Sequence, residues 1–188
     1  DLALALSCVT GYDPLDPTSL AEPPTEAGLR LSEVKAPRIG VVRNFFPELT
    51  ESYMTAAVDA GAQKLAAGGA TVEDYRLPDD YGNLWHASKL VRGEIEALHA
   101  VKKAVTPPKP SQMTGVEFIP VTYFIQARRF RSWMIERLRP LFDEFDGLLM
   151  AVAPGQAPKG QHTTGEAILL DPWTFLGFPA TSLNGGLS

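Results

Sequence analysis

The sequence predicts an α/β fold built around a parallel pair of strands, and three observations carry that prediction. A short apolar run, Ile39-Gly-Val-Val42, is followed by a helical stretch that stops at Gly68-Gly69. A second short run, Thr71 to Tyr75, follows directly. Strand, helix and strand at this spacing form a βαβ unit, which implies parallel strands and a right-handed crossover. Two longer stretches downstream repeat apolar residues on a helical period, which supplies the helices needed to cover a sheet.

The elements follow in order. Leu2, Leu6 and Val9 have helical spacing, and Gly11 is placed to end that helix. Residues 13–37 hold five prolines among Asp, Thr, Ser and Glu residues and read as a long surface loop. After the first strand, Asn44 to Glu48 form an exit loop, and Thr50 is the expected N-cap with Glu51 in the first turn. The next helix should bury Met54, Ala57, Val58, Ala62 and Leu65, and Val72 should face inward on the following strand. A second long helix is expected from about Asn83 to Ala104, with Leu84, Ala87, Val91, Ile95, Leu98 and Val101 on one side. Pro107, Pro108, Pro110 and Pro120 make 105–120 a loop. A third helix spans about Val121 to Glu144, and Pro140 should kink or divide it. Gly147 to Val152 reads as a buried strand, 153–165 as a Pro/Gly-rich loop, the region of Trp173 and Phe175 as a short helix, and Ala180 to Leu183 as a last strand. Residues 1–188 read as a single domain with no internal boundary.

Composition narrows the function. Hydrophobic residues at 45% and charged residues at 21% of the 188 exclude a disordered, collagen-like or coiled-coil chain. A net charge of −5 argues against nucleic-acid binding, which needs a basic face to displace counterions. Arg128, Arg129, Arg131, Arg137 and Arg139 cluster, but Glu136, Asp143 and Glu144 lie among them, the pattern of a mixed, solvated helix face. The single cysteine, Cys8, allows neither an internal disulfide nor a Cys-based zinc cluster, and a reducing, cytoplasmic setting is expected. No apolar run approaches the roughly 18 residues of a membrane span. The apolar opening lacks the basic leader of a signal peptide, and both ends of the chain read as cut.

Motifs with a mechanism are scarce. There is no G-x-S-x-G elbow, H-E-x-x-H helix or Gly-rich phosphate loop. His86, His99 and His162 are scattered and read as surface or packing residues. Asp143, Glu144 and Asp146 sit where a helix meets a strand and read as a solvated turn rather than a metal cluster. Arg131 stands apart. Seven residues after Phe124, four after Ala127, three before Met134 and seven before Leu138, it falls inside the apolar stripe of the third helix. An inward guanidinium costs several kcal/mol unless a carboxylate or carbonyls meet it. It is therefore either a structural ion pair or a snorkelling stem at the stripe edge, or an anchor for an anionic or carbonyl-bearing substrate, which its planar fork suits.

The order of segments resembles the amidase-signature family. The residues that carry the resemblance are the opening Asp1-Leu-Ala-Leu-Ala-Leu with Gly11 to Ser19, Pro37-Arg-Ile-Gly-Val-Val42 with Gly68-Gly-Ala-Thr-Val72, and the Tyr123-x-x-Ala127-x-x-x-Arg131 pattern. Phe145-Asp-Gly-Leu-Leu-Met, Ala153-Pro-Gly-Gln-Ala-Pro158 and Pro172-Trp-Thr-Phe-Leu-Gly-Phe-Pro-Ala180 complete the series. The resemblance implies a mixed sheet covered by helices, a small-molecule amide substrate, and amide hydrolysis by a Ser-cis-Ser-Lys triad that needs no metal or cofactor. It places that triad upstream of this chain, in an N-terminal amidase portion that would be its partner, so that no catalytic residue is expected here. Adjacent Ser88 and Lys89 point about 100° apart on a helix and cannot substitute. Carried over by position, Arg131 and Tyr123 would bind substrate, and Trp173 and Phe175 would border its channel. Two positions depart from the pattern: Ala167 stands where an acid is expected, and Leu183-Asn-Gly-Gly186 replaces a Pro-Cys-Gly turn. The alternative reading is a free-standing, non-catalytic α/β module that binds a small ligand or a partner protein.

Overall fold

The structure is a computed structural model that describes residues 2–22, 35–102, 119–163 and 165–185, with the side chains of 94–102 outside the description. The expected inward faces of Ile95, Leu98 and Val101, the side chain of His99 and the proline-rich stretch around Pro107 to Pro110 lie outside the described residues. Two compact units, 1–37 and 38–188, are each described by themselves.

In the first unit α1 (Leu2–Val9) forms as its spacing predicts, with Leu2, Leu6 and Val9 all exposed. The second unit contains β1 (Arg38–Val42), α2 (Phe46–Leu49), α3 (Ser52–Ala67) and β2 (Thr71–Tyr75), followed by a 3₁₀ turn (Asp79–Gly82) and α4 (Asn83–Lys102). After them come α5 (Val121–Leu138), α6 (Leu141–Glu144), β3 (Gly147–Leu149) and α7 (Asp171–Leu176).

The predicted βαβ unit is present. β1 pairs in parallel with β2, Arg38 opposite Thr71 and Val42 opposite Tyr75. β3 adds in parallel on the other side, Ile39 opposite Gly147, so the order is β2-β1-β3. The central strand is the buried one: Val41 is fully buried and Val42 nearly so. Gly40 lets the sheet close against the next layer, because a Cβ there would lie 2.8 Å from Leu148 and 3.2 Å from the Phe145 ring. Every described pairing is parallel, so the mixed sheet that the resemblance implies has no antiparallel member among the described residues.

Several local expectations need correction. Thr50 does not cap α3. A one-turn helix, α2, forms inside the expected exit loop, and Thr50 terminates it in extended conformation. Its hydroxyl meets Thr55 Oγ1 at 3.2 Å, and α3 starts one residue later with Glu51 at the cap. The strand after α6 is confined to Gly147–Leu149. Ala180 to Leu183 is not a strand: it joins no ladder of the described sheet, and Leu183 is exposed. Of the four only Thr181 favours a strand, and a segment without a neighbouring edge to pair with stays irregular. The third helix divides where predicted, at Arg139-Pro140, into α5 and α6. Its stripe buries Ala127, Met134, Leu138, Leu141 and Phe145. Phe142 departs from the stripe, remaining 43% exposed with its ring 4.9 Å from that of Phe178.

The core joins sheet and helices through Val42, Phe46, Leu77, Tyr81, Leu84, Met134, Leu138, Leu169 and Trp173. Beyond the strands, Asn44 extends the β1–β2 ladder with its side chain. Its amide Nδ2 donates to Leu77 O at 2.9 Å, and its Oδ1 accepts from Leu77 N at 2.8 Å. The two strand exits are thereby clamped together inside the protein, since Asn44 is buried.

Candidate functional site

α7 is the element on which the predicted site residues converge. It begins with Asp171 and Pro172, an acid and a proline in the first turn, which suit a helix start. It ends at Gly177, whose φ of 84° is a left-handed conformation that favours glycine. Gly177 N–H donates to Trp173 O at 3.0 Å, and Phe178 N–H to the same carbonyl at 3.2 Å. The carbonyls of Phe175 and Leu176 are then left at the end of the helix without an intrahelical donor.

Arg131 of α5 takes both. Its Nε donates to Phe175 O and its Nη2 to Leu176 O at 3.1 Å. Its guanidinium carbon lies 5.8 Å from the centre of the Phe175 ring. A Cβ on residue 177 would stand 3.2 Å from Nη2, so the glycine also makes room for the fork. A cation at a helix carboxyl end meets the negative pole of the macrodipole. The two carbonyls explain how an arginine inside an apolar stripe is tolerated. No carboxylate of the described residues pairs with Arg131, so its charge is not neutralised by an acid there.

The other predicted residues separate. Phe175 packs beside Arg131 as described. Trp173 is in the core, 5% exposed, with ring centres 5.5 Å from Tyr81 and 6.3 Å from Phe178. Its indole Nε1 is buried with no hydrogen-bond partner among the described residues. Tyr123 is 54% exposed and lies eight residues before Arg131, about 12 Å along the helix axis. The structure thus brings Arg131 and Phe175 together, gives Trp173 a packing position, and leaves Tyr123 on the surface of α5.

A charged cluster that the sequence did not reveal sits at the other end of α7. Asp171 is 6% exposed and accepts from Arg92 Nη2 at 2.9 Å, with Lys89 Nζ at 3.4 Å from its second oxygen. Both cations come from α4, so this cluster ties α4 to α7. The Asp-Pro pair opening a short helix was the available signal, but its partners lie 79 and 82 residues away. Ser88 turns its hydroxyl back to Trp85 O at 2.8 Å and makes no relay with Lys89. Asp143, Glu144 and Asp146 are exposed, and Asp146 accepts from Arg38 N–H at 2.7 Å, in keeping with a solvated turn. Among the described residues no group of three metal-ligating side chains gathers.

The loops that leave the carboxyl ends of β1 and β2 enclose a cleft of about 360 Å³ beside the amino end of α7. Carboxyl ends of parallel strands are where open α/β sheets place ligands. Tyr81 forms part of its wall, and burial pushes its phenol well above the ordinary range. The Tyr81 hydroxyl has no hydrogen-bond partner among the described residues.

Comparisons with known proteins agree with the resemblance. No family model matches the chain. An amidase of Pseudomonas putida is 26% identical over 95% of the chain and 41% of its own length. A 1-carboxybiuret hydrolase subunit of a Pseudomonas species is 29% identical over 84% of the chain and 35% of its own length. Among solved structures, a vestigial protein complex that bears on the origins of an s-triazine catabolic enzyme gives a TM-score of 0.72 at 27% identity. It covers 94% of this chain and 42% of that one. A bacterial aryl acylamidase of the amidase-signature family, at 18% identity, has the same fold with a TM-score of 0.65 over 97% of this chain and 45% of that one. The chain spans less than half the length of these relatives. No helix of the described residues is long and apolar enough to cross a membrane. Over nearly all of its length the chain is similar in sequence to amidases, and it shares the fold of an amidase-signature enzyme.

Proposed function

We propose that this chain is part of a hydrolase that cleaves amide carbon–nitrogen bonds with water, giving a carboxylic acid and ammonia or an amine. One observation carries the reading: amidases match the chain in sequence over 95% of its length, and an amidase-signature structure matches it in fold over 97%. The relatives are more than twice as long as the region matched. The Ser-cis-Ser-Lys triad implied by the resemblance belongs, in this reading, to amidase sequence outside this chain, which is its partner. Within the chain, Arg131 is the substrate anchor. It carries a full positive charge that no described carboxylate balances, and its two bonds to α7 fix the fork in place. Phe175 lies against it, the exposed Tyr123 stands about two turns away on the same helix, and Trp173 supports α7 from within the core; a carboxylate- or carbonyl-bearing amide is the substrate class. The chemistry calls on no metal or cofactor. The free, exposed Cys8 supports a reducing, cytoplasmic setting.

The test is ammonia release by the native polypeptide that carries this sequence, with Arg131→Ala beside it. Loss of a charge-assisted contact lowers kcat/KM for carboxylate-bearing amides by about 10- to 100-fold, with a smaller effect on neutral amides. A fall in melting temperature with unchanged kinetics would reduce Arg131 to a cap on α7.

A further inference from the structure

The cleft at the carboxyl ends of β1 and β2 is walled by aromatic rings. Phe45 and Phe46 lie 5.5 and 6.1 Å from the ring of Tyr81, and the half-buried Trp85 stands against His86 at 5.1 Å. Two features show that the wall is shaped rather than incidental. Phe45 has φ 66° and ψ −59°, the centre of a γ-turn closed by Phe46 N–H donating to Asn44 O at 2.8 Å, a conformation that bulky residues rarely adopt and that costs on the order of 1–3 kcal/mol. Gly82, on the facing 3₁₀ turn, is the position where a Cβ would collide with the Phe45 ring. A strained residue on one loop and a missing side chain on the other together set that ring in the wall.

The ionisable groups of the lining are Glu48 and the exposed imidazole of His86, and Lys89 of α4 stands 5.1 Å from the centre of the Trp85 ring. Glu48 is its single carboxylate, exposed, with no described cation paired to it, and no lysine or arginine lines the cleft. The volume of about 360 Å³ falls within the size of small-molecule sites. Aromatic faces attract planar rings by offset or edge contact, and attract cations through the ring quadrupole. A carboxylate at the edge attracts N–H donors and repels anions.

From this we propose that the cleft is a binding site for a small single-ring aromatic ligand carrying an N–H donor group, cationic or neutral, that meets Glu48. The site is separate from Arg131: it uses Pro172 at the amino end of α7, whereas Arg131 holds the carboxyl end. It stands whether or not the protein is an amidase.

The probes are benzamidine, benzamide and benzoate, titrated by calorimetry into the native polypeptide carrying this sequence. Benzamidine should bind saturably and at least about tenfold more tightly than benzoate, with benzamide between them. Glu48→Gln should narrow the benzamidine-to-benzoate ratio to within about threefold. Leu49→Arg, on the exposed rim, adds bulk and positive charge and should weaken benzamidine by about tenfold or more. Absence of saturable benzamidine binding, benzoate binding as tight as benzamidine, or unchanged binding by a folded Leu49→Arg protein would each overturn the proposal. Should Leu49→Arg fail to fold, the ratio in Glu48→Gln decides, because that exposed side chain makes no hydrogen bond or ion pair among the described residues: an unchanged ratio overturns the site.

Discussion

Tyr81 is a phenol held among rings, with a hydroxyl that finds no partner among the described residues. In the unfolded chain it titrates near 10.0, and in the folded chain burial keeps it protonated to higher pH. The folded state therefore holds the proton more tightly, and the resulting stability is complete below the unfolded value and is lost as pH rises above it. Tyr81→Phe should flatten the alkaline limb of stability between about pH 9 and pH 11 while matching or exceeding the parent near pH 7. Urea midpoints across that range check both parts. A loss above about 1 kcal/mol at neutral pH would mean that the hydroxyl is bonded after all. Arg131 shows what was legible at this scale. Its phase within α5 was readable from four flanking apolar residues. The identity of its partners was not, because they are backbone carbonyls 44 and 45 residues away, which leave no mark in side-chain pattern.

Between elements, the clamp from Asn44 to Leu77 does what a longer ladder would do. It pairs a buried N–H and a buried C=O at the point where β1 and β2 have ended. Asn44→Ala removes both partners at once and should lower stability by about 2–4 kcal/mol, since each orphaned backbone group keeps its desolvation cost. Asn44→Asp should recover only part, because a carboxylate can accept from Leu77 N–H but cannot donate to Leu77 O. Thermal unfolding of the two variants distinguishes this clamp from a simple surface turn, for which both losses would stay below about 0.5 kcal/mol. Elements with strong periodicity were readable: α3, α4 and α5 lie where their stripes placed them, and Pro140 divided the third helix because it lacks the N–H that a continuing helix needs. The misplacements share a cause. Thr50 is a good cap by residue type, but α2 consumed it as its terminus. Ala180 to Leu183 holds one strand-favouring residue, Thr181, and strand formation depends besides on a partner edge, about which composition carries no information.

For the molecule as a whole, the resemblance explained more than any single residue. The order of six segments pointed to the amidases that the chain proves similar to, whereas Arg131 alone left structure and binding open. The same reading makes a negative prediction: the 188-residue polypeptide by itself releases no ammonia from simple amides. Measured turnover by purified, folded chain would show that its own side chains perform the chemistry. The sheet order has a further consequence for synthesis. β1 is central, yet its two neighbours emerge at different times, since residues 76–146 separate β2 from β3. At about 5–20 residues per second, the ribosome takes roughly 4–14 s to cover that interval. For those seconds the nascent β1–α3–β2 unit has its central strand open along one side. Recruitment of a holdase chaperone is thus expected to peak before β3 is made and to fall once it docks.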